Sequence, residues 1–330
     1  MTPATVAPQG RASALAQAAC IAAVIAGLSM PIIVNSWNAA IDRVKEGRKA
    51  AIEHVVRANS ALAFAYAENA AGVLTAAHGL LLTIAQHPFP PGNRSGALEQ
   101  LEDRTAASSL PLLAVAILDD DGLVALSTGD RGCAQTAART KSAPGERGIG
   151  LGIGTPSRCE PSGKWMIPLT LRIAAANGEP ASVAVAALDA GYFTEMYRQA
   201  ELGAGGIVAL VGLDGVARVR QTSGASSYGD DMRESPPVSA QTRSPSGFAR
   251  GSTGSEAVDR YYSYRTLQRY PLMVAVGTAE AEALAPVRER KRSDILIAGL
   301  ASIVIGLVAA GIARGVAQWR RGSRRGDLSL

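Results

Sequence analysis

The chain has 330 residues, with 33 Lys or Arg against 28 Asp or Glu and a formal net charge of +5. Aromatic residues make up only 5% of it, and no stretch combines basic and aromatic residues as nucleic-acid-binding surfaces do, which argues against a nucleic-acid partner. A mean hydropathy of +0.11 with 18% charged residues indicates that the apolar residues are concentrated in segments.

Two of these segments are long enough to cross a membrane as helices. The segment from Ala14 to Val34 is almost wholly apolar, and residues 295–313 carry no charge. About 20 apolar residues span a hydrocarbon core of about 30 Å. The first segment exceeds the apolar core of a signal peptide, roughly 7–15 residues, so we interpret residues 14–37 as an uncleaved transmembrane helix. Residues 294–314 are predicted to form the second one.

Basic residues set the predicted orientation of these two helices. The tail at residues 315–330 contains four arginines and one aspartate, which places it in the cytoplasm. Two spans return residues 1–13, a short polar leader, to the same side. Residues 38–293 are then expected outside the inner (cytoplasmic) membrane, in the periplasm of a bacterium.

A long helix with a connecting segment is predicted for residues 38–106. From Ala39 to about Gln86 the chain has no proline, and its apolar residues recur three or four positions apart. Such a helix is too long for one small domain to cover. Either the whole stripe packs on its own domain, or its first half pairs with the same helix of a second chain. The sequence HPFPPG at 87–92 ends the helix, because closely spaced prolines cannot continue it.

The external region contains two copies of the same order of elements. AVAILDDDGLVALS at 114–127 and IVALVGLDGVARVR at 207–220 align at an offset of 93 residues. Each copy predicts a hairpin that turns at Asp-Gly, followed by a polar segment and a second hairpin. We therefore predict an α+β fold, in which the long helix precedes two antiparallel-sheet modules, residues 107–200 and residues 201–293.

The second hairpin of each copy carries a resemblance to a known family. In copy one it is SGKWMIPLTLRIAAANGEPASVAVAALDAGYF at 162–193, with strands predicted at Trp165–Ile173 and Ala181–Leu188. This run resembles the closing hairpin of the double Cache (PAS-like) extracytoplasmic sensor domains of bacterial transmembrane receptors, which include histidine kinases, diguanylate cyclases and chemoreceptors. SYRTLQRYPLMVAVG at 263–277 resembles the last hairpin of that family's membrane-proximal module.

The resemblance covers about residues 38–293 and implies a small-molecule pocket in the membrane-distal module. Between residues 123 and 188 there are seven basic and four acidic residues, which favours an anionic group, and the arginine fork matches a carboxylate. The residues that the resemblance and this charge suggest for ligand binding are Asp130, Arg131, Lys164, Trp165, Thr170, Arg172, Asp189 and Tyr192. The alternative is that they are surface charges and a core tryptophan.

Within that set, Asp130 and Arg131 resemble the family loop that folds over the ligand. The Arg-x-Trp-Tyr cluster of the amino-acid-binding members is absent around Trp165, so the resemblance does not imply amino-acid specificity. In copy two we interpret the corresponding residues as strand packing with exposed arginines rather than as a second site. They are Arg218, Arg220, Tyr262, Tyr264 and Arg265.

Catalytic and metal chemistry find little support in the sequence. The three histidines, His54, His78 and His87, all lie on or just after the long helix, and there is no CxxC or HExxH motif. We predict neither enzymatic activity nor a metal or cofactor. Cys133 and Cys159 both lie in the external region, where the oxidising environment makes them a candidate disulfide.

The predicted function is that of an inner-membrane sensory receptor module. It would bind a small periplasmic ligand with a carboxylate or an amine, form a homodimer, and signal across the membrane. No output domain is recognisable after residue 314, so output would lie on a partner chain or be lost. The alternative is a non-sensing membrane protein that uses the Cache scaffold to bind a periplasmic protein.

Overall fold

The structure is a computed structural model that describes residues 9–86, 94–119, 121–140, 150–173, 182–199, 203–253 and 256–326. By its contacts the chain divides into two compact units. One consists of Met1–Ala51 with Leu284–Leu330, and the other of Ile52–Ala283. The second unit contains both sheets, and the predicted α+β architecture is confirmed.

Helix α1 is the longest element of the chain. It runs from Gln9 to Gln86 as one 78-residue helix, so the predicted long helix is confirmed and is continuous with the apolar segment before it. Within the second unit one of its faces is buried against both sheets, at positions three or four apart. The buried residues are Ala63, Tyr66, Ala67, Ala70, Leu74, Ala77, Leu81 and Ile84.

The first sheet is antiparallel and holds the copy-one hairpins. Its strands are β1 (Leu112–Leu118), β2 (Val124–Gly129), β3 (Gly152–Ile153), β4 (Ser157–Arg158), β5 (Trp165–Ile173) and β6 (Ser182–Asp189). They are ordered β2-β1-β6-β5-β3, and β4 also pairs with β5. Three helices accompany this sheet: α2 (Arg94–Ala107), α3 (Arg131–Arg139) and α4 (Ala190–Arg198). The turn of the second predicted hairpin, NGEP, lies outside the described residues.

Side chains of this sheet alternate between two covered faces, as the pleat requires. The face covered by α1, here called the α1 face, carries Val115, Ile167, Leu169, Leu171, Ala184, Ala186 and Leu188. The opposite face, here called the α3 face, carries Ala114, Ala116, Leu118, Met166, Val185 and Ala187, which pack with Cys133, Ala134 and Ala137 of α3. Small side chains on the α3 face let this helix approach the sheet closely.

The second sheet repeats this plan with the copy-two hairpins. Its strands are β7 (Ile207–Gly212), β8 (Ala217–Thr222), β9 (Ser226–Ser227), β10 (Ser246–Thr253), β11 (Glu256–Thr266) and β12 (Leu272–Ala279), ordered β10-β11-β12-β7-β8-β9. Val208, Leu210, Val274 and Val276 pack in one cluster with α1. Ala209, Val211, Met273 and Ala275 pack on the other side, here called the α5 face, near helix α5 (Pro236–Gln241).

The chain leaves the second sheet through two helices, α6 (Glu280–Ala283) and α7 (Ala285–Gly326). Of the helices described, one stretch, Ala285–Ile312, is long and apolar enough to cross a membrane. It contains most of the second predicted span. Residues 14–37 are helical, but the prediction of two spans is not confirmed. In the first unit Trp37 Nε1 donates a hydrogen bond to Ser302 Oγ at 3.2 Å.

Candidate functional site

The predicted site residues of strand β5 lie on different faces of the first sheet. Thr170 and Arg172 share the α3 face with Met166, whereas Trp165 points to the opposite face. Asp189, at the end of β6, pairs in register with Met166 and so belongs to the α3 face. Thr170 is half-buried and Arg172 is exposed. Strand alternation therefore separates Trp165 from the other polar residues of this strand.

Trp165 contacts the second sheet module instead of lining a pocket with Thr170. Its indole stacks on the ring of Tyr228, with centroids 5.0 Å apart and planes inclined by 19°. Both rings pack against the cluster that α1 forms with the two sheets. Stacked aromatic pairs add about 0.5–1.5 kcal/mol beyond the area they bury. Trp165 thus helps to hold the two modules together.

Asp189 and Tyr192 begin helix α4 and are both hydrogen-bonded within the chain. The Oδ1 atom of Asp189 accepts a hydrogen bond from the Gly191 amide at 2.8 Å, which makes Asp189 the N-cap of the helix. The hydroxyl of Tyr192 accepts one from Asn69 Nδ2 of α1 at 3.3 Å. Tyr192 therefore lies on the side of α1, away from Thr170 and Arg172.

Asp130 is the N-cap of α3, a helix that the sequence analysis did not predict. Its Oδ1 atom accepts hydrogen bonds from the amides of Gly132 at 2.9 Å and Cys133 at 3.2 Å. A hydrogen bond from the Ser162 side chain, these amides and the nearby charge of Lys164 hold the pKa of Asp130 below its ordinary value. Asp130 therefore fixes the start of α3, where a ligand-covering loop was predicted.

The predicted disulfide is confirmed. Cys133 of α3 is bonded to Cys159 of the β4–β5 connection, 26 residues later, and both are fully buried. The bond ties α3 to the α3 face of the sheet. Arg131 lies two residues before the bonded Cys133, at the end of the helix that the bond anchors.

A cleft of about 480 Å³ lies between α2, β2 and α3 and contains one of the predicted residues, Arg131. Ser95, Ser127 and Gln135 also line it, and Arg131 is the one charged residue among the described lining. Ligand pockets typically measure about 300–1,000 Å³, with a few polar groups in an apolar wall. A guanidinium beside two hydroxyls and an amide suits an anion such as a carboxylate.

Sequence reasoning missed Ser95 and Gln135 because they lie on helices whose place beside β2 is a long-range contact. The nine residues of α3 do show helical amphipathicity, with Cys133, Ala134 and Ala137 buried on one side. That pattern, preceded by an aspartate as a possible N-cap, could have predicted helix α3 from the sequence. Among the residues described, no three His, Cys, Asp or Glu side chains form a group that could hold a metal ion.

The interpretation of copy two as packing with exposed arginines is wrong for two of its residues. The Arg218 side chain is only 5% exposed, because it is bonded to Asp214 at 2.8 and 3.1 Å. Arg220 is 15% exposed and is bonded to Asp230 at 3.1 Å. Pairing with a carboxylate is what makes burial of a guanidinium possible.

Comparison with known proteins agrees with this architecture. Residues 190–277 match the model of the family dCache_1_like, described as a histidine kinase sensor domain. No curated protein matches the chain. The extracellular domain of the histidine kinase rpHK1S-Z16 is 24% identical with a TM-score of 0.56, and the match covers 71% of this chain and 98% of that domain.

Two chemoreceptor domains are similar at lower identity. The periplasmic sensory domain of Campylobacter jejuni Tlp1 is 11% identical with a TM-score of 0.54, over 72% of this chain and 99% of that one. The L-Gln complex of the Pseudomonas aeruginosa PAO1 amino acid chemoreceptor PctB is 16% identical with a TM-score of 0.50, over 69% and 92%. The resemblance inferred from the sequence is therefore confirmed: the chain has the double Cache fold of extracytoplasmic sensor domains, and residues 190–277 match the dCache_1-like sensor family.

Proposed function

We propose that this protein is the sensing part of a bacterial inner-membrane receptor, which binds a small periplasmic ligand and signals across the membrane. The double Cache fold supports this class of function, since the solved domains of the same fold are sensory or ligand-binding domains of kinases and chemoreceptors. The match of residues 190–277 to a sensor family supports it further. Domain division at residues 107–200 and 201–293 is part of the proposal.

The cleft at Arg131 is the observation that carries the proposed ligand class. Its described lining holds one positive charge and no carboxylate, so of the two predicted chemistries it favours a ligand with a carboxylate over one with an amine. In this proposal Arg131 contacts the ligand, and Asp130 positions it by capping α3. Lys164, Thr170 and Arg172 are not among the described residues that line this cleft, because β1 and β6 separate β2 from β5 in the sheet. Trp165, Asp189 and Tyr192 hold the surrounding modules in place.

A thermal-shift experiment tests this site. The full chain in neutral phosphatidylcholine nanodiscs is heated with acetate, succinate or single amino acids. A ligand at 100 times its Kd adds about 2.7 kcal/mol to the free energy of unfolding. For a unit of this size that raises Tm by roughly 5–11 °C.

The matched variants are Arg131→Gln and Arg139→Gln, which remove a charge from the first and last turns of the same helix. We expect the shift to disappear in Arg131→Gln and to persist in Arg139→Gln. A shift in Tm that persists in Arg131→Gln would show that the ligand binds elsewhere in the protein. A screen without any shift, together with a stable periplasmic protein captured by the chain, would favour the interaction function.

Membrane topology is the second part of the proposal. Both termini are placed in the cytoplasm and residues 38–293 in the periplasm, with spans at residues 14–37 and 294–314. A phosphatase reporter that is active only in the periplasm should work when fused at Gly178 and fail when fused at Leu330. Activity at Leu330 would contradict the second span.

Dimerisation is the third part, and an exposed face of α1 supports it. Ala58, Ala65, Gly72 and Gly79 are spaced by seven residues and all lie exposed, and an added Cβ at Gly72 or Gly79 would meet no atom within 4 Å. Small residues with a heptad period allow two helices to pack closely. Two copies would carry the signal to an output protein through α7.

Cysteine crosslinking tests this interface. In a Cys20→Ala background, Gly72→Cys should crosslink two full-length chains in membranes. Glu102→Cys, exposed on α2, serves as the control and should not. Equal crosslinking at both positions would show that α1 does not form the dimer interface.

A further inference from the structure

A run of basic side chains near the start of α7 has no role in the proposed function. Residues 288–292 have the sequence RERKR and come just before the uncharged stretch of this helix. Successive helix positions are about 100° apart, so the four basic residues surround the helix on every side except that of Glu289. Arg290, Lys291 and Arg292 are exposed and form no ion pair with any residue that the structure describes. Their charges are therefore available to a partner outside the chain.

Helix α1 packs against α7 within the first unit. Trp37 of α1 donates its hydrogen bond to Ser302 of α7, and Ala40 and Ala298 are both buried. Ala40 comes three residues after the bonded tryptophan, and Ala298 comes four residues before the bonded serine. Residues three or four apart share a helix face, so this burial is what an antiparallel pair of helices produces.

This antiparallel pairing brings basic residues of α1 to the level of those on α7. Arg48 and Lys49 lie 11 and 12 residues beyond the bonded tryptophan, and Lys291 and Arg290 lie 11 and 12 residues before the bonded serine. At 1.5 Å per residue, both pairs are about 17–18 Å from the hydrogen bond along the helix axes. The two helices therefore carry positive charge at one common level.

The surface of both helices changes from apolar to basic as it approaches this level. The large exposed apolar side chains lie at residues 24–41 of α1 and 295–312 of α7, where they are 37–68% and 43–67% exposed. Apolar surface of this extent fits the hydrocarbon core of a membrane. Residues 42–49 and 288–294, here called the basic band, hold eight basic and four acidic side chains, a net charge of +4.

The position of the basic band matches the layer of lipid headgroups. This layer adjoins the hydrocarbon core and is roughly 5–8 Å thick on each side of the membrane. Arginine and lysine bind phosphate oxygens by charge-assisted hydrogen bonds. In the proposed topology the band lies in the periplasm, whereas basic residues that set orientation lie in the cytoplasm. Setting the orientation of α7 therefore does not account for this charge.

We propose that the basic band binds the headgroups of anionic phospholipids where the apolar surface of α1 and α7 ends. Arg290, Lys291 and Arg292 donate hydrogen bonds to the phosphate oxygens, and the basic residues of α1 at the same level add to the attraction. The net charge of +4 is complementary to an anionic lipid, whereas a zwitterionic lipid carries its own cation. This inference rests on α7 crossing the membrane and does not depend on ligand binding at Arg131.

Photocrosslinking to lipid at the basic band tests the proposal. Ser293→Cys, an exposed position in the band, carries a benzophenone in a full-length Cys20→Ala chain. The chain is reconstituted in liposomes of equimolar phosphatidylglycerol and phosphatidylcholine, and the lipids attached after illumination are identified by mass spectrometry. A single Lys or Arg near an anionic surface strengthens binding about fivefold. We expect phosphatidylglycerol to be attached at least about fivefold more often than phosphatidylcholine.

The matched variants remove three charges from the band or from elsewhere. Arg290→Gln with Lys291→Gln and Arg292→Gln should bring the ratio of the two lipids close to one. Sodium chloride at about 1 M should do the same, because the screening length is then about 3 Å. The control exchanges three exposed arginines of the second unit for glutamine and should keep the ratio. They are Arg139, Arg243 and Arg269.

Resistance to alkaline extraction shows for each variant that the chain is inserted in the membrane. Equal attachment of the two lipids, crosslinking between two chains in place of lipid, a ratio that persists in the triple variant of the band, or an equal loss in the control would overturn the proposal. Extraction of the unaltered chain by alkali would overturn it as well. An inserted chain without lipid preference would leave the sensing function intact, because ligand binding is measured separately by the shift in Tm.

Discussion

Asn59 provides a direct test of how helix α1 is attached to the second sheet. Its side chain is 2% exposed, and its Nδ2 donates to the Tyr261 carbonyl at 3.0 Å while its Oδ1 accepts from Thr278 Oγ1 at 3.0 Å. The two bonds reach two neighbouring strands, β11 and β12. Asn59→Ala removes both bonds and leaves their partners without that contact.

The expected loss follows from these two bonds. Each is worth about 0.5–1.5 kcal/mol net, and the unpaired partners add a desolvation cost, so Asn59→Ala should lower the free energy of unfolding by about 2–3 kcal/mol. At roughly 2–4 °C per kcal/mol, Tm should fall by about 4–12 °C. Thr278→Val removes one of the bonds and should cost about 1 kcal/mol.

The assay is thermal unfolding of the full chain in nanodiscs, with Asn59→Ala, Thr278→Val and the double variant. Because the two side chains share a bond, the double variant should lose less than the sum of the single losses, by about 1 kcal/mol. Glu68→Ala, exposed on the same helix, should change Tm little. Strictly additive losses, or a Tm for Asn59→Ala equal to that of Glu68→Ala, would refute the reasoning.

Two further predictions concern the disulfide and an acid-sensitive pair. Without reduction, a thiol reagent should label the unfolded chain at Cys20 only, and labelling of all three cysteines would contradict the bond. The double variant Cys133→Ala with Cys159→Ala should lower the free energy of unfolding of the distal module by about 3.5 kcal/mol by the chain-entropy relation, as measured by thermal unfolding. Burial raises the pKa of Asp214, but hydrogen bonds from Arg218 outweigh this effect and hold the pKa below its ordinary value of 3.8. The ion pair therefore stabilises the fold above pH 3.8, and this stabilisation is lost as the pH falls through the lower pKa of the folded state. Asp214→Asn should melt earlier at pH 7 and show a flatter pH dependence, and an unchanged pH profile would count against the pairing.

The sequence determined by itself the elements that depend on local pattern. The helical stripe after Ala39, the strand Trp165–Ile173 and the Asp-Gly hairpins all follow from the spacing of apolar residues and from turn chemistry, and the structure has them. The repeat with an offset of 93 residues already implied two similar modules. Strand alternation would also have separated Trp165 from Thr170, because successive side chains point to opposite faces and these two residues are an odd number of positions apart.

Only the tertiary structure decided which polar residues meet. Arg131 lies in a cleft because α2 and α3 both approach β2. Asn59 meets Tyr261 and Thr278 at sequence separations of 202 and 219 residues, and no local pattern relates them. Such sites depend on contacts between segments that are distant in the sequence. These contacts form through the packing of the whole core, and no periodic pattern of residues in the sequence indicates them.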